Sequence, residues 1–252
     1  MKDGFAWLHM GKIFFASHER IGSAVTLAGQ AAHHLVNVLR LHLGDTLILC
    51  DGCGMDYNAY IHEIYKNPVK VIFHVKDQQP SLSEMPIKIT LFQGYPKGDK
   101  LDWIIEKCVE LGVCEIQPVI TEHSLVKQGD FTRKLERLSK IAMSAAAQSM
   151  RSTIPIIHKP DAFNALTQFN PTDLHIMAYE GEKTVTLRSA LHAVPVSDVS
   201  LWVGPEGGFS QAELHALVNI NAVPFSLGPR ILRTETAALA AISQIQAIWD
   251  VY

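Results

Sequence analysis

Apolar side chains come in short bursts over the first eighty residues, and after that the bursts alternate with longer periodic runs. "KIFFA", "DTLILC", "DYNAYIHEI" and "VKVIFHV" are β-branched or aromatic segments bounded by turn residues, the pattern of short strands. Between the first two, "QAAHHLVNVLRL" has helical spacing and stops before the Gly44-Asp45 turn. Residues 1–76 are therefore expected to form a small β-barrel unit with one helix. Residues 77–86, polar and carrying two prolines, are expected to be a linker.

The period changes at Ile87. "IKITLFQ" reads as a strand, and Asp99 can cap a helix whose apolar residues Leu101, Ile104, Ile105, Cys108 and Leu111 share one face until Gly112 stops it. "EIQPVIT" reads as a strand and Thr132 to Met150 as a long helix. "TIPII", "LHIMAY", "SLWVG" and "PFSLG" follow as short strands, with helical stretches between most of them. Such alternation predicts an α/β fold over 87–252, with a parallel sheet covered by helices and ligands bound beyond the carboxyl ends of the strands.

Composition narrows the class. The chain has 252 residues, 48% of them hydrophobic and 19% charged, an ordinary globular balance with enough length to bury its cores without disulfides or metal. No apolar run approaches the ~20 residues of a membrane span, and the start has no signal-peptide pattern, so the cytoplasm is the expected location. Met10 is a possible natural start, which makes residues 1–9 an expected loose extension. Net charge is −3, and neither side of residue 80 is basic, which argues against indiscriminate nucleic-acid binding. Of the four cysteines only Cys50 and Cys53 have ligand spacing. Their Asp-Gly centre reads as a hairpin turn, so no metal is expected.

Two stretches carry more glycine, proline and charge than folding requires. In "VGPEGGFSQAEL", Gly204-Pro205 ends a strand, Gly207-Gly208 permits a tight turn, and Ser210 with Glu213 forms a capping box. Such a turn can cradle polar ligand groups on backbone N–H donors. In "LGPRILRTETAALAAI" an Ala-rich helix is entered through two arginines, a glutamate and two threonines. One cap, Thr234 or Thr236, would suffice.

Together these stretches resemble the SPOUT class of trefoil-knotted methyltransferases, and within it the RsmE family, which methylates N3 of a uridine in small-subunit (16S) ribosomal RNA. "HHLVNVLRLHLGD" and "DGCGMDYNAYI" are similar to the family's amino-terminal PUA-like domain. "KGDKLDWIIEKCVELGV", "PVITEHSLVK", "AAAQSMR", "VGPEGGFSQAE" and "LGPRILRTETA" are similar to its catalytic domain, in order. The resemblance implies a final segment threaded through a loop and S-adenosylmethionine held bent in that knot by three loops. The first loop would contribute Ala178, Tyr179 and Glu180. The second would contribute Val203, Gly204, Pro205, Glu206, Gly207 and Gly208. The third would contribute Leu227, Gly228, Ile231 and Leu232, followed by Thr234 and Ala237. It also implies a homodimer, as does the last helix, whose apolar arc is wider than one core-facing stripe. Where the family often has "TERS" and paired glutamates, this chain has His123, Ser144 and Ala147, while Gln148 and Arg151 remain.

Methylating uracil N3 requires removal of its proton, hence a general base and a cation or N–H donors beside the resulting anion. Arg230 and Arg233 are the candidate cations, and Glu235 and Glu206 the candidate bases. The helix dipole lowers the basicity of Glu235, which gives it an alternative role in orienting Arg233. Arg40, Lys97, Lys100 and Arg151 are candidate RNA contacts. Transfer RNA as substrate, or RNA binding without catalysis, are the rival readings.

Overall fold

The computed structural model describes residues 11–126, 131–167, 173–191 and 196–251, so the expected loose extension at 1–9 lies outside the described residues. The chain divides into two units, one ending at Glu84 but also including Ala146–Ile154, the other comprising Met85–Ala145 and the chain from Pro155 on.

In the first unit β1 (Ile13–Phe14) is followed by β2 (Arg20–Ile21), β3 (Ala24–Ala28) and helix α1 (Gly29–His33), which runs on as a π turn over His34–Val38. Then come β4 (Thr46–Cys50), β5 (Met55–Lys66) and β6 (Val69–Pro80). The six strands pair in the order β1-β4-β5-β6-β3-β2, antiparallel except for β1 with β4. Alternate residues Val71, Phe73 and Val75 of β6 and Tyr57, Ala59 and Ile61 of β5 point into one core with Val25, Leu27, Leu47 and Leu49. The sequence pattern missed β3, whose "AVTLA" is short and alanine-rich. It also ended β6 too early: residues 77–80, expected as linker, are strand and pair with Asn58 to Met55. Cys50 and Cys53 flank the β4–β5 turn as expected, and Asp51 accepts the Cys53 and Met55 N–H groups there.

The segment Ala146–Ile154 completes this unit through polar contacts. The buried Lys12 ammonium contacts Asp56 at 2.7 Å and Ser152 Oγ at 2.6 Å. Arg151, an expected RNA contact, is instead only 2% exposed and donates to Glu84 at 2.8 Å, while Glu84 also accepts the N–H groups of Ser152 and Thr153. A guanidinium so enclosed is not presented to a phosphate, which corrects that expectation.

In the second unit β7 (Lys88–Gly94), α2 (Lys100–Glu110), β8 (Glu115–Ile120) and α3 (Thr132–Gln148, whose last three residues belong to the first unit) come first. They are followed by β9 (Ile156–Ile157), β10 (Asp161–Ala162), α4 (Phe163–Leu166), β11 (Leu174–Ala178) and α5 (Leu187–Ala190). β12 (Asp198–Val203), α6 (Gln211–Asn219), β13 (Val223–Phe225) and α7 (Thr234–Trp249) finish the chain. The sheet is parallel throughout, in the order β10-β8-β7-β12-β11-β13 with β9 beside β8. Register places Phe92, Trp202 and Met177 side by side on one face, where the Phe92 and Trp202 rings stack 4.1 Å apart above Leu214 and Leu217 of α6. A stack of this kind adds about 0.5–1.5 kcal/mol beyond area burial. The apolar face of α2 (Leu101, Ile104, Ile105 and Cys108) packs with α7. Burial pushes the Cys108 thiol up, so it stays protonated.

Candidate active site

Strands β7, β11, β12 and β13 end together, and the loops beyond β11, β12 and β13 enclose a cavity of about 440 Å³. The close approach of two of these strand ends has a simple cause. β7 ends at Gly94, where a Cβ would lie 2.4 Å from Pro205, so only glycine lets the Pro205 loop settle there. Ser210 and Glu213 then form the expected capping box, and Glu213 also accepts the Glu122 N–H at 2.9 Å. His123, at the family's arginine position, lies against this loop with Nδ1 3.2 Å from the Gly208 carbonyl, which requires the proton on Nδ1.

The entrance to α7 differs from its sequence reading. Arg233 is the N-cap residue and no side chain caps the helix. Thr234, expected as cap or cofactor contact, donates to the Gly204 carbonyl at 2.5 Å and accepts from the fully buried Gln93 Nε2 at 2.8 Å. The threonine thus ties α7 to the 204–208 loop and to the end of β7. Gly228 has φ +109°, a conformation that disfavours side chains, and a Cβ there would project into open space.

Of the residues expected at the cofactor, Ala178, Tyr179, Glu180, Val203, Gly204, Pro205, Glu206, Gly208, Leu227, Gly228, Ile231, Leu232, Thr234 and Ala237 line the cavity, and Gly207 does not. Arg230 and Arg233 line it too, exposed and without an ion-pair partner among the described residues. Lys100, read as an RNA contact, is also in the wall. Its ammonium lies 2.8 Å from Glu206 Oε1 and 3.5 Å from Glu235 Oε2. Glu235 therefore faces Lys100 rather than serving as a partner to Arg233. Lys97 uses its backbone, whose N–H approaches both Glu206 oxygens at 3.2 and 3.3 Å. Burial works to raise the Glu206 carboxyl, but Lys100 and the N–H donors outweigh it and hold the group below its ordinary value. The same hydrogen bond to Glu206 raises the Lys100 ammonium. Arg40 stands in the first unit, exposed, with a left-handed φ of 55° just after the π turn.

Sequence reasoning missed Lys183, Phe209 and Ser226 in the wall, although each adjoins a recognised loop, whereas Pro229, which also lines it, lies within the expected third loop. It also missed Gln93, which no short motif marks.

These residues fit S-adenosylmethionine. The cavity is of ordinary small-ligand size, is lined by glycine and proline positions of three loops together with charged side chains, and has the Glu180 carboxylate in its wall to receive hydroxyl or ammonium donors. Among the described residues no group of three or more His, Cys, Asp or Glu is placed to hold a metal ion, and no helix is long and apolar enough to cross a membrane.

Residues 83–246 match the RNA methyltransferase domain family, and residues 27–73 match the RNA methyltransferase PUA domain family. The ribosomal RNA small subunit methyltransferase E of Bacillus subtilis is 37% identical over 228 residues, covering 87% of this chain and 88% of its own. The protein of the same name from Rickettsia conorii is 33% identical, covering 94% and 95%. The crystal structure of the Neisseria gonorrhoeae ribosomal RNA small subunit methyltransferase E bound to S-adenosyl methionine superposes with a TM-score of 0.86 at 31% identity, covering 96% of this chain and 98% of that one. With a parallel-sheet domain of that family, a PUA-like first unit and relatives matched over nearly their whole length, this chain belongs to the ribosomal RNA small subunit methyltransferase E family.

Proposed function

We propose that this chain transfers a methyl group from S-adenosylmethionine to N3 of a uridine in 16S ribosomal RNA of the small subunit. The observation that carries the reading is the cavity itself. One wall is formed by three loops suited to the cofactor, and at the entrance to α7 Arg230 and Arg233, without an ion-pair partner among the described residues, line the cavity with Lys100, whose ammonium neighbours Glu206 and Glu235.

When bound, S-adenosylmethionine supplies an electrophilic methyl group. The chain's own residues do the rest. Val203 to Glu206, Gly208 and Leu227 to Leu232 hold the ligand in place, and orientation of this kind lowers a bimolecular barrier by roughly 7–11 kcal/mol. Arg233 and Arg230 offer charge to the uracil oxygens as N3 loses its proton, and a carboxylate beside them receives that proton. Arg40 and the Lys97 side chain remain candidate phosphate contacts, both exposed.

The threaded path of the last segment and a homodimer belong to the same proposal. The first rests on the family's class alone, and the second is supported by the half-exposed Leu239 and Ile248 on α7. The test is incubation of small subunits lacking the modification, or of transfer RNA, with the protein and S-adenosylmethionine, followed by nucleoside mass spectrometry. The expected product is 3-methyluridine in small-subunit RNA. Product in transfer RNA alone, or none with cofactor bound, would overturn the assignment.

A further inference from the structure

The end of β7, the start of α7 and the loop beyond β12 are joined by a short chain of hydrogen bonds that begins at Gln93. This side chain is fully buried. Its Nε2 donates to the Gly94 carbonyl at 3.0 Å and to the Thr234 hydroxyl at 2.8 Å. The hydroxyl in turn donates to the Gly204 carbonyl at 2.5 Å. Thr234 and Gly204 line the cofactor cavity, whereas Gln93 stands behind them and is not part of its wall.

The direction of this relay is forced. An amide nitrogen only donates, and turning the Gln93 amide over would set its oxygen against the Gly94 carbonyl. The threonine oxygen therefore accepts from Gln93, which leaves its single proton for Gly204. Gln93 Oε1 is enclosed and has no hydrogen-bond partner among the described residues, so the amide holds this orientation even though it leaves an acceptor unmatched. The receiving group is equally constrained. The peptide between Gly204 and Pro205 has no N–H, so its carbonyl is its only polar group. Holding that carbonyl fixes the peptide plane near the start of the second cofactor loop.

We propose that Gln93 is a positioning residue for S-adenosylmethionine: by committing the Thr234 hydroxyl to Gly204, it keeps the β12–α6 loop in the conformation that grips the cofactor. This rests on the cofactor reading of the cavity and is independent of which nucleoside is methylated. The effect of Gln93 reaches the ligand only through Thr234.

Gln93→Glu keeps the shape and reverses the relay. An ionised carboxylate cannot donate, so the Thr234 hydroxyl turns to it and releases Gly204. A protonated carboxyl group can donate, and the original order returns. Burial favours the protonated form, which moves the change toward neutral pH. Measured by calorimetry, the ratio of variant to wild-type dissociation constants for S-adenosylmethionine is close to one at about pH 6 and rises about tenfold at about pH 9. Taking the ratio at each pH cancels the titration of the cofactor and of the charged groups in the wall, Lys100, Glu180, Lys183, Glu206, Arg230 and Arg233.

Thr234→Val, matched in shape but without the hydroxyl, weakens binding to a similar extent at every pH, and Thr234→Ser recovers most of that loss. Adding Gln93→Glu to Thr234→Val brings little further loss, because the two residues act through one relay. Gln93→Met leaves the threonine proton undirected. It gives a smaller loss that does not vary with pH, and it serves where the buried acid prevents folding. In each variant the defect appears in the cofactor KM ahead of kcat. Folded Gln93→Glu and Gln93→Met proteins that bind the cofactor as the wild type does across this range would overturn the proposal. So would a lowered Tm with unchanged dissociation constants, or losses that add in the double variant. A wild-type protein with no affinity for S-adenosylmethionine would instead remove the cofactor reading itself.

Discussion

Arg233 holds two positions at once: its backbone begins α7 in an extended conformation, and its side chain stands at the cavity without an ion-pair partner among the described residues. A cation kept free of carboxylates is available to charge that develops only during reaction. Arg233→Ala is therefore expected to lower the methyl-transfer rate by two or more decades, the usual size of such a loss (~3–4 kcal/mol). Cofactor affinity should stay nearly constant. Single-turnover kinetics with saturating RNA and calorimetry of cofactor binding check both halves. The importance of this arginine was legible in the sequence, because "RTET" has charge beyond any capping need. The partner of Glu235 was not. Arg233 is its near neighbour in the chain, but the group facing it comes from the first residue of α2, and Glu206, the lysine's other partner, is 106 residues from it. Proximity of that kind is created by sheet order, which no local spacing records.

At the scale of elements, strands and helices with clean periodicity were readable: α2 presents one apolar face, and Ile89 and Leu91 of β7 alternate with polar residues after the buried Ile87. The end of β6 was not, because residues 76–80 are exposed and polar and owe their conformation to pairing with β5. The three loops announced themselves through glycine and proline, since a backbone-lined wall needs close approach. The wall includes Ala237, half-buried on the second turn of α7. Ala237→Leu keeps helix propensity and adds bulk toward the cavity. We expect cofactor affinity to fall at least tenfold by calorimetry with an almost unchanged Tm.

The loop after β11 is held by Glu182, whose Oε1 accepts the N–H groups of Val185, Thr184 and Lys183 and the Thr184 hydroxyl. These bonds, the Val185 N–H foremost, lower its carboxyl from an ordinary 4.5 to about 2. Because the folded value is the lower one, the contribution to loop order is complete above pH 4.5 and is lost as pH falls through about 2. The Val185 amide resonance should follow that course, whereas a midpoint at 4.5 would contradict it. In Glu182→Gln the acid-dependent step should vanish.

For the whole molecule, α7 has two surfaces: one buries Ala238, Ala241, Ile242 and Ile245, and another leaves Leu239 and Ile248 half-covered. Sedimentation is expected to give twice the 27.9 kDa chain mass, and Leu239→Glu should return the protein to a monomer. A wild-type monomer with full activity would refute this.

The first unit has a second chain segment built into it. Lys12, Asp56 and Glu84 find their partners Ser152 and Arg151 only after most of α3 has been made. Lys12 and Asp56 already pair with each other at 2.7 Å, so the later segment adds the Ser152 hydroxyl to that pair and the Arg151 guanidinium to Glu84. A cut just after Glu84 therefore leaves the Glu84 carboxylate without its guanidinium and the buried pair one hydrogen-bond partner short, which weakens the unit at its edge.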